Sequence, residues 1–150
     1  MKITMQQVEK GCEEIVIRYS EKNAEVSAVL ELLEARSAQM CGTHEDTGDS
    51  VMFPISDIYY FESVDSVLYA YLRDAVYRVE GRLDSIADRY ASHGFARSSR
   101  VMAVNLYRID RLKSIGAGRI LATMENGENI EISRKYAGEL RRRLRGGDEG

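Results

Sequence analysis

The sequence is poor in the residues and segments that mark metal sites, disulfides and membrane spans. Its 150 residues include no tryptophan, one proline, two cysteines and two histidines. Cys12 and Cys41 fit no metal-binding or redox spacing, and we expect both to be reduced. No apolar run approaches the roughly 20 residues of a membrane-spanning helix. Met1 is followed by polar residues where a secretory signal needs an apolar core. We therefore expect a cytoplasmic protein.

Catalytic motifs are also missing. An enzyme needs groups of complementary pKa held close together. His44 and His93 both lie in turn-like segments, and the carboxylates are scattered. The sequence has no phosphate loop, no H-E-x-x-H and no G-x-S-x-G. We expect that the protein is not an enzyme and uses neither a cofactor nor a metal.

The charge is divided unevenly along the chain, although the formal net charge is only −3. Residues 1–81 contain seven Lys/Arg and fifteen Asp/Glu, a net charge of −8. Residues 82–145 contain fourteen Lys/Arg and seven Asp/Glu, a net charge of +7. A basic half can attract phosphates even on an acidic chain, because the local field acts at distances near the Debye length. Charge alone leaves nucleic acid, a membrane surface and an acidic protein open as partners.

The first 45 residues predict a small β-α extension. Ile15–Tyr19 is a β-prone run, and Asn23 can cap a helix whose apolar residues recur at helical spacing. This helix is too short to be stable alone, so its apolar face must pack on the rest of the chain or on a second copy. The polar, turn-rich stretch 42–49 suggests a boundary. The predicted units are an extension over 1–45, a domain over 46–145 and a tail over 146–150.

After residue 50 the pattern is mostly that of short strands. The strand candidates are 58–61, 67–72, 75–79, 109–115, 120–124 and 129–132. Asn126-Gly127, between the last two, is the strongest short-range hairpin signal that a sequence offers. One helix is predicted from Leu83 to Tyr90, ended by His93-Gly94. Ser133 is placed to cap a last helix.

Arginine and lysine are concentrated around these strands and on the last helix. Arg97 and Arg100 lie in a β-rich segment, Arg134 and Lys135 open the last helix, and four more arginines follow within 141–145. An arginine in a rigid loop can bond guanine O6 and N7 together, whereas one on a helix face usually meets phosphates or water. A solvated helix end, whose cations favour the C-terminal dipole, explains the arginines of 141–145 at least as well as DNA contact does.

Five short stretches between residues about 50 and 145 carry a family resemblance. They are Ile55-Ser56-Asp57-Ile58-Tyr59-Tyr60-Phe61-Glu62-Ser63, Gly94-Phe95-Ala96-Arg97, Val101-Met102-Ala103-Val104-Asn105, Asn126-Gly127-Glu128 and Ile132-Ser133-Arg134-Lys135-Tyr136. In this order and at these spacings they resemble a LytTR DNA-binding domain over nearly its full length. The resemblance implies a mostly β (α+β) fold of short antiparallel sheets with a mid-chain and a C-terminal helix, here after the β-α extension. It also implies a bacterial transcription regulator whose loops enter successive major grooves of double-stranded DNA.

The resemblance implies which residues contact DNA. Ser66 in the turn after Phe61-Glu62-Ser63 holds the first contact position, Arg100 the second and Arg134 the third. Arg97 and Lys135 complete the candidate DNA-binding set. The alternative for Arg134 is an ion pair with a carboxylate such as Glu131.

Two residues next to Arg100 depart from the family pattern. The family often has His at the position of Ser99 and Ser at that of Val101, so two polar groups are lost beside Arg100. Asn105 is interpreted as a turn-stabilising residue whose amide bonds to nearby backbone, and not as a DNA contact.

The resemblance bears on partners as well. About 45 residues precede the DNA-binding part, far too few for the receiver domain of many family members. The chain is similar to the stand-alone members, whose gene often neighbours one for a small membrane protein, so such a partner is implied. A homodimer is favoured, because two copies suit two DNA half-sites about one helical turn apart.

Two other functions stay open. A protein-interaction module of the same fold that has lost DNA binding would modulate a related regulator, and the acidic N-terminal half and the residues at positions 99 and 101 favour it. A membrane-surface protein using the last helix is disfavoured, because that helix has a narrow apolar stripe and no Trp or Phe.

Overall fold

The computed structural model describes residues 2–9 and 15–145, and within these ranges it contains three helices and ten strands. The helices are α1 (Ala24–Ser37), α2 (Leu83–Arg89) and α3 (Arg134–Leu144). The strands are β1 (Gln39–His44), β2 (Ser50–Pro54), β3 (Tyr60–Val64), β4 (Val67–Tyr71), β5 (Val76–Val79), β6 (Phe95–Arg97), β7 (Met102–Asn105), β8 (Ile109–Gly116), β9 (Arg119–Met124) and β10 (Asn129–Ile132). Cys12 and the predicted tail over 146–150 lie outside the described residues.

Seven strands form one antiparallel sheet in the order β2-β1-β5-β4-β3-β7-β6. One of its faces packs against the apolar side of α2, where Ile86 and Ala87 are buried in one cluster with Phe61 and Phe95. The predicted mid-chain helix is therefore confirmed. It ends at Arg89, before the predicted stop, because a 3-10 turn over Ala91–His93 takes up the residues that lead to Gly94.

The remaining three strands form a second antiparallel sheet in the order β10-β9-β8. Alternate residues of β9 and β10 are buried, and they pack with Tyr60 and Val104 of the first sheet and with Leu140 of α3. The predicted hairpin is confirmed: β9 pairs with β10, and Gly127 in the turn has a φ of +88°. The mostly β class predicted from the sequence is confirmed as well.

The N-terminal part matches its prediction only at the helix. The Asn23 side-chain oxygen accepts a hydrogen bond from the Val26 N–H at 2.9 Å, so the predicted cap of α1 is confirmed. The strand predicted over Ile15–Tyr19 is absent, and Ile15 is 73% exposed. A strand is stable only when another strand pairs with its backbone groups. No strand in the described residues does so here.

The stretch 42–49 contains the end of β1 and the turn to β2. β1 pairs with β2 along its length and with β5 through Thr43 opposite Arg78 and His44 opposite Tyr77. The position at which the sequence suggests a boundary is thus the turn of a hairpin. β1, which precedes that turn, is hydrogen-bonded into the same sheet as the strands that follow it.

Candidate nucleic-acid interface

Three segments with predicted contact residues meet at one end of the first sheet. They are the β3–β4 turn with Ser66, the loop 98–101 between β6 and β7 with Arg100, and the start of α3 with Arg134. The Ser63 N–H donates to the Val101 carbonyl at 2.8 Å, and the Ser133 N–H donates to the Ser98 carbonyl at 2.8 Å. The fold therefore brings together residues that lie far apart in the sequence and links their segments by main-chain bonds.

Ser66 lies in a two-residue turn and is exposed. Val64 pairs with Val67, so Asp65 and Ser66 alone connect the two strands. Their φ angles are +50° and +66°. Positive φ at both central residues is the geometry of a type I′ turn, which follows the twist of the flanking strands. Ser66 is therefore presented at the tip of an ordered hairpin.

The loop 98–101 is held by short-range hydrogen bonds. The N–H groups of Ser98 and Ser99 donate to the Met102 carbonyl at 3.0 and 3.3 Å, and the Ser99 hydroxyl accepts from the Val101 N–H at 3.3 Å. Ser98 is fully buried, whereas Arg100 is exposed. Arg100 thus extends into solvent from an ordered backbone, and Ser99, one of the two departures from the family, supports that backbone.

Arg97 is directed into the protein, with only 19% of its side chain exposed. Its Nε donates to the Ser99 carbonyl at 3.1 Å, and its Nη2 donates to the Arg100 carbonyl at 2.6 Å. Its Nη1 forms an ion pair with Asp84 of α2, and its guanidinium carbon lies 5.3 Å from the centre of the Tyr136 ring. Most of the guanidinium is therefore used within the protein.

Arg134 is exposed at the first position of α3. Its aliphatic stem lies against the β8–β9 turn, where a Cβ on Gly118 would be 2.9 Å from the Arg134 Cγ. The ion pair considered for Arg134 and Glu131 is not formed, because Glu131 pairs with Arg119 at 2.8 Å. Within the described part of the chain Arg134 has no ion pair, so its guanidinium is available to a ligand.

The first turn of α3 has an unusual charge for a helix start. It contains no acidic residue, and its first two residues are Arg134 and Lys135. Ser133 stands at the predicted cap position, but its hydroxyl makes no capping bond. Cations are unfavourable at the positive end of the helix dipole, whereas an anion is stabilised there. This helix start is therefore electrostatically suited to an anionic partner.

Two other arginines of the basic half hold the fold together. Arg143 donates to the carbonyls of Ala91 and Phe95 at 2.5 Å each, so it is neither a solvated helix end nor a free DNA contact. Arg108 donates to the Ser56 carbonyl at 2.9 Å and pairs with Glu125. The position of Arg143 on the apolar stripe of α3, seven residues after Tyr136, is the sequence signal that indicates its structural role.

Asn105 has the structural role expected for it. Its side-chain nitrogen donates to the Ile58 carbonyl at 2.9 Å, and its side-chain oxygen accepts from the Tyr107 N–H at 3.1 Å. The side chain is almost completely buried. The prediction that Asn105 stabilises a turn is confirmed.

Neither of two other kinds of site is found over residues 2–9 and 15–145. There is no cluster of three or more His, Cys, Asp or Glu side chains arranged to bind a metal ion. None of the helices described in these ranges combines the length and apolar character needed to cross a membrane.

Comparison with known proteins agrees with the resemblance. The family model of the LytTr DNA-binding domain matches residues 48–145, a range that includes all five candidate DNA-binding residues. The fold is similar to that of a solved LytTr DNA-binding domain from Bacillus cereus, which belongs to a protein titled a methyl-accepting/DNA response regulator. The TM-score is 0.64 and the identity is 23%, over 71% of this chain and 98% of that chain. No curated protein matches the sequence.

Proposed function

Because the chain belongs to the LytTr DNA-binding domain family, we propose that it is a sequence-specific transcription regulator that reads the major groove of double-stranded DNA through its loops. Membership supports DNA binding in general. The observation that carries the finer proposal is the common end of the first sheet, where the loop of Arg100 is hydrogen-bonded both to the strand that leads to Ser66 and to the residue before Arg134. These residues belong to three separate parts of the sequence.

The exposed charged groups at this end of the sheet suit two kinds of DNA contact, one with base edges and one with phosphates. Arg100 and Arg134 are exposed, and within the described residues neither forms an ion pair. Each is fixed by an ordered backbone, so little freedom is lost when its guanidinium bonds a guanine edge. Lys135 and the first N–H groups of α3 suit a phosphate, because the helix dipole favours an anion there. Base reading by the two arginines and phosphate binding at the helix start are therefore compatible.

Selection of bound fragments from a random duplex library tests the proposal. We expect enrichment of one sequence, and we expect log affinity for it to fall linearly with log salt, with a slope of about −0.9 per phosphate contact. The Arg100→Ala/Arg134→Ala double variant is the control, since it should lose enrichment and keep a weak, salt-dependent affinity. Affinity that does not change with salt, or selection without any enriched sequence, would support the interaction module instead.

A cytoplasmic homodimer that binds paired half-sites is part of the same proposal. Ile15 and Tyr19 are 73% and 54% exposed, and Leu32 on α1 is 51% exposed, so the N-terminal part has apolar surface available for a second copy. Light scattering of the free and the DNA-bound protein measures the state, and a monomer under both conditions contradicts dimerisation. The small membrane protein implied by the resemblance is tested by co-purification from cells that express both.

A further inference from the structure

The interactions of Arg97 differ from those of a DNA-contacting arginine. All three nitrogens of its guanidinium group bond to this protein: two to the carbonyls of Ser99 and Arg100, and one to the carboxylate of Asp84. Only 19% of the side chain is exposed. These bonds use three of its five N–H donors, which leaves at most two for a phosphate. The geometry therefore favours an action of Arg97 on the loop that carries Arg100.

Asp84 is the second part of this arrangement. It lies in the first turn of α2 and is 76% exposed, yet it is in contact with an arginine that bonds the loop 98–101. A carboxylate near the proposed interface repels the phosphates of DNA, since like charges raise the free energy of binding. If charge alone mattered, DNA binding would improve without Asp84. Its contact with Arg97 gives it a positive role, which is to hold the guanidinium against the loop.

Arg97 also connects the loop with α3. Its guanidinium lies over the Tyr136 ring at 5.3 Å, and the Lys135 Nζ lies 5.4 Å from the centre of the same ring. The side chain that bonds the Arg100 carbonyl therefore rests on the helix turn that begins with Arg134. A displacement of Arg97 would change the second contact segment relative to the third.

We propose that Arg97 and Asp84 form a positioning pair: they fix the conformation of the loop 98–101 and its placement against the start of α3, and neither touches DNA. The proposal rests on the proposed function, because it concerns how Arg100 and Arg134 are presented to bases. It gives Arg97 a role different from that of the other members of the candidate DNA-binding set. It also gives Asp84, an exposed acidic residue, an indirect role in recognition of the DNA sequence.

Four variants test the pair: Arg97→Lys, Arg97→Gln, Asp84→Asn and the control Asp88→Asn. Asp88→Asn removes the same charge from the same exposed face of α2, and Asp88 has no ion pair in the described part of the structure. Each variant is titrated with the selected duplex and with its one-base variants at several salt concentrations. The base read by Arg100 is identified as the position at which Arg100→Ala loses its preference. A thermal melt of each variant reports whether it is folded.

The expected result is a several-fold loss of preference at that base for both Arg97 variants and for Asp84→Asn, from a wild-type preference of roughly tenfold or more. The slope of log affinity against log salt should stay unchanged in all of them. Asp88→Asn should keep the full preference. Arg97→Lys keeps the charge but lacks the planar fork that reaches two carbonyls and a carboxylate together, so it should not rescue the preference.

Two outcomes would overturn the positioning pair. If Arg97 contacts a phosphate, the slope of log affinity against log salt becomes shallower by about 0.9 in Arg97→Gln and returns to the wild-type value in Arg97→Lys. The base preference then stays intact in both variants. If Asp84 acts only through its charge, Asp84→Asn and Asp88→Asn raise affinity equally for all sequences. Asp84 is mostly exposed, so its variant still gives an answer if Arg97→Gln does not fold. Failure of the proposed function is distinguishable, because the wild-type protein would then select no sequence.

Discussion

At the scale of single residues, the arginines of the basic half differ in how much of each guanidinium the protein itself uses. Arg143 bonds two carbonyls, Arg108 bonds a carbonyl and a carboxylate, and Arg97 bonds three groups. Arg100 and Arg134 are exposed, and neither has such a partner in the described residues. The two arginines at the second and third predicted contact positions are thus among those that the fold leaves available.

Arg134→Ala should lower affinity for the selected site by about 1–3 kcal/mol and flatten the preference at one base position. The reason is that the Arg134 stem is held against Gly118, so the guanidinium is oriented before DNA binds. Arg142 is exposed later on the same helix, and Arg142→Ala should weaken binding to all DNA sequences alike or have no effect. Titration of both variants with the site and its one-base variants measures this. Full affinity and preference in a folded Arg134→Ala protein would contradict a recognition role.

At the scale of elements, α3 combines two functions that place opposite demands on its charges. Cations at its start oppose the helix dipole, whereas the basic residues of its last turn, Arg141–Arg143, agree with it. Lys135→Glu should therefore raise the free energy of unfolding by about 0.3–1 kcal/mol. It should also weaken DNA binding, because a phosphate would meet a carboxylate at the helix start.

Arg142→Glu is the matched control for that charge reversal. It makes the same change at the other end of α3, so it should lower stability instead of raising it. Urea titrations give the stability of both variants, and salt-dependent DNA titrations give their affinities. A Lys135→Glu protein that is less stable than the wild-type protein, or that binds DNA with unchanged affinity, would rule out the electrostatic account of the helix start.

The end of α3 is attached to the first sheet by Arg143, and removal of this side chain should be costly. Arg143→Ala leaves the carbonyls of Ala91 and Phe95 without their charged donor. We expect the free energy of unfolding to fall by about 1.5–3 kcal/mol, the range for hydrogen bonds to charged groups. Arg142→Ala should change it by no more than about 0.5 kcal/mol. Equal stability of the two variants in urea would contradict the structural role.

Elements with local signals could be predicted from the sequence, whereas elements that depend on a distant partner could not. The turn at Asn126-Gly127 and the cap at Asn23 are specified by adjacent residues, and both are confirmed. The strand predicted over Ile15–Tyr19 is wrong because β-propensity does not supply a neighbouring strand. The pairing of β1 with β5 joins residues about 35 positions apart, and no local pattern indicates it.

The residues of the candidate site show the same difference between what local sequence indicates and what depends on distant partners. The family resemblance assigns Ser66, Arg100 and Arg134 to the three contact positions, and the structure has all three side chains exposed. The contacts of Arg97 could not be predicted, because Asp84 and Tyr136 come from two different helices. Spacing in the sequence therefore indicates where an arginine lies, and only the packing of helices against strands decides what it binds.

At the scale of the whole molecule, two tyrosines between the two sheets should make the free energy of unfolding sensitive to alkaline pH. Burial, together with the Glu62 carboxylate that accepts the Tyr71 hydroxyl hydrogen bond at 3.0 Å, raises the pKa of Tyr71 to about 12. Burial and Glu128 likewise raise the pKa of Tyr60, whose ring stacks on Tyr71 at 4.4 Å. The unfolded chain releases these protons near pH 10, before the folded protein does. The ionisation of these tyrosines should therefore leave stability unchanged at neutral pH and lower it as pH rises above about 10.

Urea midpoints at about pH 8 and about pH 11 measure this fall, since these values lie on either side of the unfolded-state tyrosine pKa. Tyr71→Phe removes one of the two ionising groups, so its midpoint should fall less between the two pH values than that of the wild-type protein. An equal or larger fall in Tyr71→Phe would show that the alkaline loss arises elsewhere.

The small buried surface of α1 affects the dynamics of the protein. Val26 is the one buried residue among the α1 side chains that are described, and the helix touches the rest of the described chain mainly at the 3-10 turns over Ile55–Asp57 and Ala91–His93. A segment with so little buried surface opens at a free energy below that of global unfolding. Backbone amides of α1 should accordingly exchange with deuterium long before those of β3 and β7, and α1 should behave as a separate cooperative unit that detaches while both sheets remain folded.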